Sequence, residues 1–349
     1  QLQSLGSTQL NSLTTSSAQL ISSAIAQGLS INTVLGLNSA VLNALLTSAV
    51  GGLNTSGIAG LSTATIAGLT TTLAASLSSA QVQVLTSTQL NSLSTNALGK
   101  LSTSGVGGLS STTVSGLNSN TLNALTSSQM QQLNTSGIAG LASTTVAGLG
   151  SGVLNNLTSS QIALLSNAGV AGLSTAAIAG MGTSAASNLA SNAVAALTSN
   201  ELNSLGGSSI AKLSTAGIAG LASTTIAGLS TSAASYLSSA QVQSLTSNEL
   251  NMLSTAVAAK LDTSGIGGLN SAVLNGLSST LLNSLGSKLS TSQLQSLGST
   301  QLNSLTTSSA LQISSAITQG LSINTVAGLN SALLNALLTS AVGGLNTSG

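Results

Sequence analysis

Only eight side chains in this 349-residue chain carry a group of conventional acid–base chemistry: Glu201, Glu249, Asp262, Lys100, Lys212, Lys260, Lys288 and Tyr236. Two carboxylates could form a general acid and base, and Glu201 with Glu249 is the pair to weigh. In the helical reading developed below they lie three layers apart, near 27 Å at roughly 9 Å per layer, too far to flank one reacting bond. The chain has no His, Cys or Arg. That removes imidazole bases, thiol nucleophiles, disulfides and the ordinary ligands of zinc, copper, haem and iron–sulfur clusters. Gly105 to Ser110 has the glycine content of a phosphate loop but lacks its Lys-Ser/Thr, so it reads as turn glycine. Asn54, Asn134, Asn156 and Asn346 open Asn-x-Ser/Thr sequons, a few of which are expected by chance in so polar a chain. Met130, Met181 and Met252 read as core filling. The expectation is therefore no catalytic, cofactor-binding or metal site, and no enzyme.

Composition sharpens the exclusions. Charged residues are 2% of the chain and the net charge is +1, which leaves no basic patch for a nucleic acid or an anionic membrane surface. Yet 42% of residues are hydrophobic and the mean hydropathy is +0.51, enough apolar surface to argue against disorder. Absence of Pro rules out collagen. The apolar runs are short, far below the roughly 18–20 residues that cross a bilayer, and no signal peptide is visible.

The elements that must position these residues come from a repeat. Stepping by eight from Leu5, every position to Leu285 is Leu except Ile21 and Met181. A four-residue slip over 285–288 follows, and the ladder resumes from Leu289 to Leu345 with Ile313 as its exception. Each octad runs Leu, Ser/Thr, Ser/Thr, any, Gln/Gly/Thr/Ala, Val/Ile/Leu, any, Gly/Ser/Ala. A longer repeat lies over it. Residues 1–57 recur at 293–349 with five differences, an offset of 292. The whole of 1–349 reads as one continuous solenoid without polar terminal caps, either a segment of a longer chain or a unit that joins end to end.

Position 2 suits a helix N-cap, and Thr86 to Gln89, Thr126 to Gln129, Thr158 to Gln161 and Ser238 to Gln241 match the capping box. Positions 1 and 6 have the spacing of a hydrophobic staple, and Gly at position 8 suits a helix C-terminus. Glu201 and Glu249 fall at position 5 and Asp262 at position 2. Lys100, Lys212 and Lys260 fall at position 8, and Lys288 directly precedes a ladder Leu. Acids thus sit at predicted helix starts and bases at predicted ends, as the helix dipole favours. The alternative is a parallel β-solenoid, disfavoured because positions 1 and 6 have opposite parity and cannot both point inward from one strand.

Octad types alternate between even and odd places in the ladder, which suggests an α-solenoid of very short helices with two octads, about 16 residues, per layer. On that reading Lys100, Lys212, Lys260, Asp262, Glu201 and Glu249 share one charged edge, while the opposite edge is uncharged and carries Tyr236.

Leu77-Ser-Ser-Ala-Gln-Val-Gln, Leu85-Thr-Ser-Thr-Gln-Leu-Asn and Leu157-Thr-Ser-Ser-Gln-Ile-Ala resemble the Leu-Ser/Thr-Ser/Thr-x-Gln-Ile/Val repeat arrays of giant bacterial secreted surface and adhesin-like proteins. The resemblance covers the chain at low complexity and implies an extracellular or cell-surface role. The expected function is a structural protein that builds a filament, sheath or surface fibre, its partners being copies of itself. The alternative is an adhesin stalk or an ice-binding array of hydroxyl groups.

Overall fold

A computed structural model describes residues 2–345. Among them lie 42 α-helices of four to seven residues, and no strand. The chain is a helical repeat solenoid, and the β-solenoid alternative falls.

Each octad makes one helix, and the reasons are local. The position-2 side chain caps the helix: Asn118 Oδ1 accepts the Thr121 N–H, and Thr126 Oγ1 accepts the Gln129 N–H. The expected capping boxes form at Thr86/Gln89, Thr126/Gln129, Thr158/Gln161 and Ser238/Gln241. After four to six residues the chain leaves the helix at the next ladder residue, which is extended at Leu125 (φ −70°, ψ 145°). This kink turns the ladder Leu inward beside position 6, so Leu117 and Leu122 are 2% and 1% exposed. Helices this short do not persist alone in water, because nucleation costs more than one turn of hydrogen bonds returns. Their stability must come from stacking.

The stacking differs from the two-octad layer. Most helices pack most extensively against the third helix along, as Ser79–Gln83 does on Thr103–Gly107 and Ser111–Ser115 on Thr135–Ala139. One coil is therefore three octads, 24 residues, with an octad for each side. The even–odd alternation of octad types describes neighbouring sides of a coil and is not the stacking period. What sets that period is the fit between non-local residues described below.

Position-8 glycine closes its helix as expected, but without a left-handed turn. No residue among those described has a positive φ; Gly68 closes its helix at φ −82°, ψ 0°. Its small size matters instead: a Cβ there would lie 2.5 Å from Ser39 Oγ in the coil before.

The chain divides into two compact units, Gln1–Ala190 and Ser191–Gly349, each built from the same coil. The slip lies in the second, where Gly286–Lys288 forms a 3-10 turn in place of a helix. Inter-coil bonds shorten their span by the four missing residues and survive. Asn251 reaches the Gly276 carbonyl 25 residues on, whereas Asn275 reaches that of Ser296 only 21 residues on. Gln241 reaches back 31 and 28 residues to Ile210 and Leu213, and Gln293 only 27 and 24 to Ile266 and Leu269.

Candidate functional site: the bonds between coils

Three kinds of side-chain fit join successive coils. The first is the position-5 glutamine. Gln81 is 1% exposed; its Oε1 accepts the Ser78 N–H at 2.8 Å, and its Nε2 donates to the carbonyls of Val50 and Leu53, both at 2.8 Å. Gln89, Gln129, Gln161, Gln241 and Gln293 repeat the arrangement. One amide thus closes a capping box in its own helix and satisfies two carbonyls of the coil before, so its burial leaves no polar atom stranded. The capping half was legible locally. The Nε2 half was not, because its acceptors are about three octads away. Thr at the same position does part of the work: Thr65 and Thr225 donate to the Leu37 and Leu197 carbonyls at 3.2 and 3.1 Å.

The second is a clasp from position-7 asparagine. Asn43 Nδ2 donates to the Gly68 carbonyl at 2.7 Å while its Oδ1 accepts the Thr70 N–H at 3.0 Å. Asn91 holds Gly116 and Asn118 in the same way, and Asn123 holds Gly148 and Gly150. The third is steric. A Cβ on Gly137 would lie 2.4 Å from Val114 Cβ, and one on Gly169 equally close to Val146 Cβ. All seven position-5 glycines of the ladder follow a Val by 23 residues, the last of these glycines being Gly349, outside the described residues. That co-occurrence is the signal from which the coil length could have been read.

One pair inverts the usual sizes. Position 3 is ordinarily Ser or Thr beneath a position-8 Gly, but Gly207 is the ladder's one position-3 glycine, and the chain's one aromatic residue, Tyr236, lies over it. A Cβ on Gly207 would meet three ring carbons at 2.4 Å.

The charged residues divide between caps and turns. Glu201 and Glu249 stand where glutamine otherwise does, in capping boxes with Thr198 and Thr246. Each accepts its partner's backbone N–H through Oε2, at 2.7 and 2.6 Å. Glu201 is 4% exposed. Its Oε1, in the place of a glutamine Nε2, has no hydrogen-bond partner, and it is the one such buried side-chain atom among the described residues. Asp262 caps Thr263–Gly267, its Oδ2 accepting from Ser239 Oγ at 2.6 Å and the Gly265 N–H at 2.9 Å. Those two bonds, the Ser239 hydroxyl foremost, hold its carboxyl below the usual aspartate value, and the Lys288 ammonium adds to the effect. Lys288 Nζ donates to the Ala259 and Leu261 carbonyls, the place in the coil that Gln89 takes over Ala59 and Leu61. The lysine therefore replaces the glutamine that the slip leaves out.

Lys100, Lys212 and Lys260 are exposed. Each lies two residues past its helix, as Lys100 does after Thr95–Leu98, rather than within its last turn. With three octads to a coil, odd and even octads alternate around it, so shared parity does not put the six residues on one edge. In the second unit, Glu201 and Glu249 occupy one column, two coils apart. Lys212, Lys260 and Asp262 belong to another, at the turn after the next helix. Two coils at roughly 8–10 Å per helix contact still separate the glutamates by about 16–20 Å.

Met130 and Met181 are buried as expected, but Met252, at a turn, is 47% exposed. The sequon residues Asn54 and Asn134 are helix caps whose Nδ2 donates to the Leu29 and Leu109 carbonyls; Asn346 lies outside the described residues. Among the described residues no three His, Cys, Asp or Glu side chains gather as a metal site, and no helix is long and apolar enough to cross a membrane. In comparisons with known proteins, no family model and no curated protein matches this chain.

Proposed function

We propose that this protein is structural: a repeat solenoid that assembles with copies of itself into an extracellular or cell-surface filament, sheath or fibre. The observation that carries the reading is that specific side chains are spent on joining coil to coil. Gln, Asn and the Val–Gly pairs bind neighbouring coils, and most position-2 hydroxyls are consumed as helix caps. Such a chain transmits nearest-neighbour packing along its length. Its surface carries so little charge that self-repulsion does not oppose lateral contact, unlike a soluble monomer that depends on net charge to stay dispersed. The repeat resemblance supports the surface location. Electron microscopy and light scattering of the purified chain at neutral pH test the reading. Multi-chain fibres are expected, and a stably dispersed monomer at high concentration would count against it.

A further inference from the structure

The chain has four lysines and one aromatic residue, and three of these five stand in one row of the second unit. Lys212, Tyr236 and Lys260 each occupy position 8, at spacings of 24 residues. They follow the helices Gly207–Ile210, Thr231–Ser235 and Thr255–Ala258, which stack in successive coils. Position 7 of one coil lies beside position 8 of the next, as the Asn203–Gly228 and Asn251–Gly276 bonds show. By that register Ala211 adjoins Tyr236 and Ser235 adjoins Lys260. Octad parity set Tyr236 opposite the lysines; with three octads to a coil it stands between two of them, roughly 8–10 Å from each at the spacing of packed helices. All three side chains are exposed, Tyr236 at 50%.

The ring is held with one face outward. A Cβ on Gly207 would lie 2.4 Å from its Cγ, Cδ1 and Cε1 alike, and three adjacent ring carbons are equidistant only from the axis through the ring centre. The glycine backbone therefore covers one face of the ring and leaves the other to solvent. Gly206 beside it is bare as well: a Cβ there would meet nothing within 4 Å, and the helix starts without a side-chain cap. Asp262, the acid nearest Lys260 in sequence, already accepts from Ser239 Oγ and the Gly265 N–H, and the ammonium that acts on it is that of Lys288.

We infer that this row binds an acidic polysaccharide, with a sugar ring laid on the outer face of Tyr236 and carboxylates of the same chain on the Lys212 and Lys260 ammonium groups. A tyrosine ring offers an apolar plate to the C–H face of a sugar and a hydroxyl at its tip. Lysine is a point charge on a flexible stem, suited to carboxylates that come at intervals along a chain. A nucleic acid is the poorer match, because it binds through many neutralised phosphates and the row supplies two ammonium groups. The inference goes beyond self-assembly and does not depend on it.

The site carries its own reporter: the chain has no Trp or Phe, so its ultraviolet emission comes from Tyr236 alone. Oligogalacturonate is titrated into the full chain at low ionic strength. A saturable change in tyrosine emission is expected, weakened by added salt, and a neutral gluco-oligosaccharide should give no such response. Lys212→Gln with Lys260→Gln, folded by circular dichroism, should lose roughly tenfold in affinity, the combined worth of two exposed charge contacts. Lys100→Gln, in the other unit, should bind as the parent does. Tyr236→Leu is silent in emission and is followed by calorimetry, where binding should fall below detection. The inference is overturned by the absence of a saturable change, by an equal response to the neutral sugar, by unchanged affinity in the double lysine variant, or by tighter binding of oligothymidylate than of oligogalacturonate.

Discussion

A buried amide in this solenoid is useful because it has both a donor and an acceptor, and a carboxylate at the same place shows the cost of losing one. Gln241 uses Oε1 on its own helix cap and Nε2 on the coil before, whereas Glu201 satisfies its cap and leaves Oε1 alone. Glu201→Gln restores the missing donor and is expected to raise stability by about 1–2 kcal/mol in urea unfolding, since a buried unsatisfied polar atom costs that much. Unchanged or lowered stability would mean that the glutamate is satisfied in solution. Asp262 is the opposite case, a carboxylate well supplied with donors. Its folded-state value is depressed, so its contribution is present above the unfolded value near 3.9 and is lost as pH falls through the depressed folded value. Asp262→Asn keeps an acceptor for the Gly265 N–H and should flatten the stability–pH profile below about pH 4 relative to the parent chain. A profile equally steep in both proteins would assign the acid sensitivity elsewhere.

Between elements, the coil depends on matched sizes at matched spacing. Helix starts were legible in the sequence because a cap and its N–H are three residues apart, as in Thr126 and Gln129. Coil length was not, because its determinants pair residues some three octads apart. Val114 with Gly137 and Tyr236 with Gly207 mean nothing singly, and either coil length is compatible with the ladder of leucines alone. The charges misled for the same reason: their even or odd places in the ladder suggested a common edge, and an odd number of octads per coil dissolves it. The Tyr236–Gly207 inversion offers a clean test of the matching. Gly207→Ala should destabilise the protein by about 1–2 kcal/mol through overpacking against the ring, and Tyr236→Ala should relieve most of that loss in the double variant. Additive losses in this cycle would show that the ring leaves its neighbour without cost.

For the whole molecule, the slip shows how much of the design resides in register. Four residues are omitted at 285–288, yet Asn275, Asn283 and Gln293 keep their inter-coil bonds, each across a span shortened by four, and Lys288 takes over a glutamine's pair of carbonyls. The chain therefore tolerates a missing half-octad provided that three sides still complete a coil. The three-octad coil is tested most directly by disulfide closure in the cysteine-free chain. Ser79 and Ser104 have their Oγ atoms 2.6 Å apart across successive coils. Ser79→Cys with Ser104→Cys should close an intramolecular disulfide readily, seen as a faster-migrating monomer without loss of helical signal. Ser79→Cys with Thr95→Cys, two octads apart, should stay open. Ready closure of the second pair, with the first remaining reduced, would contradict the account.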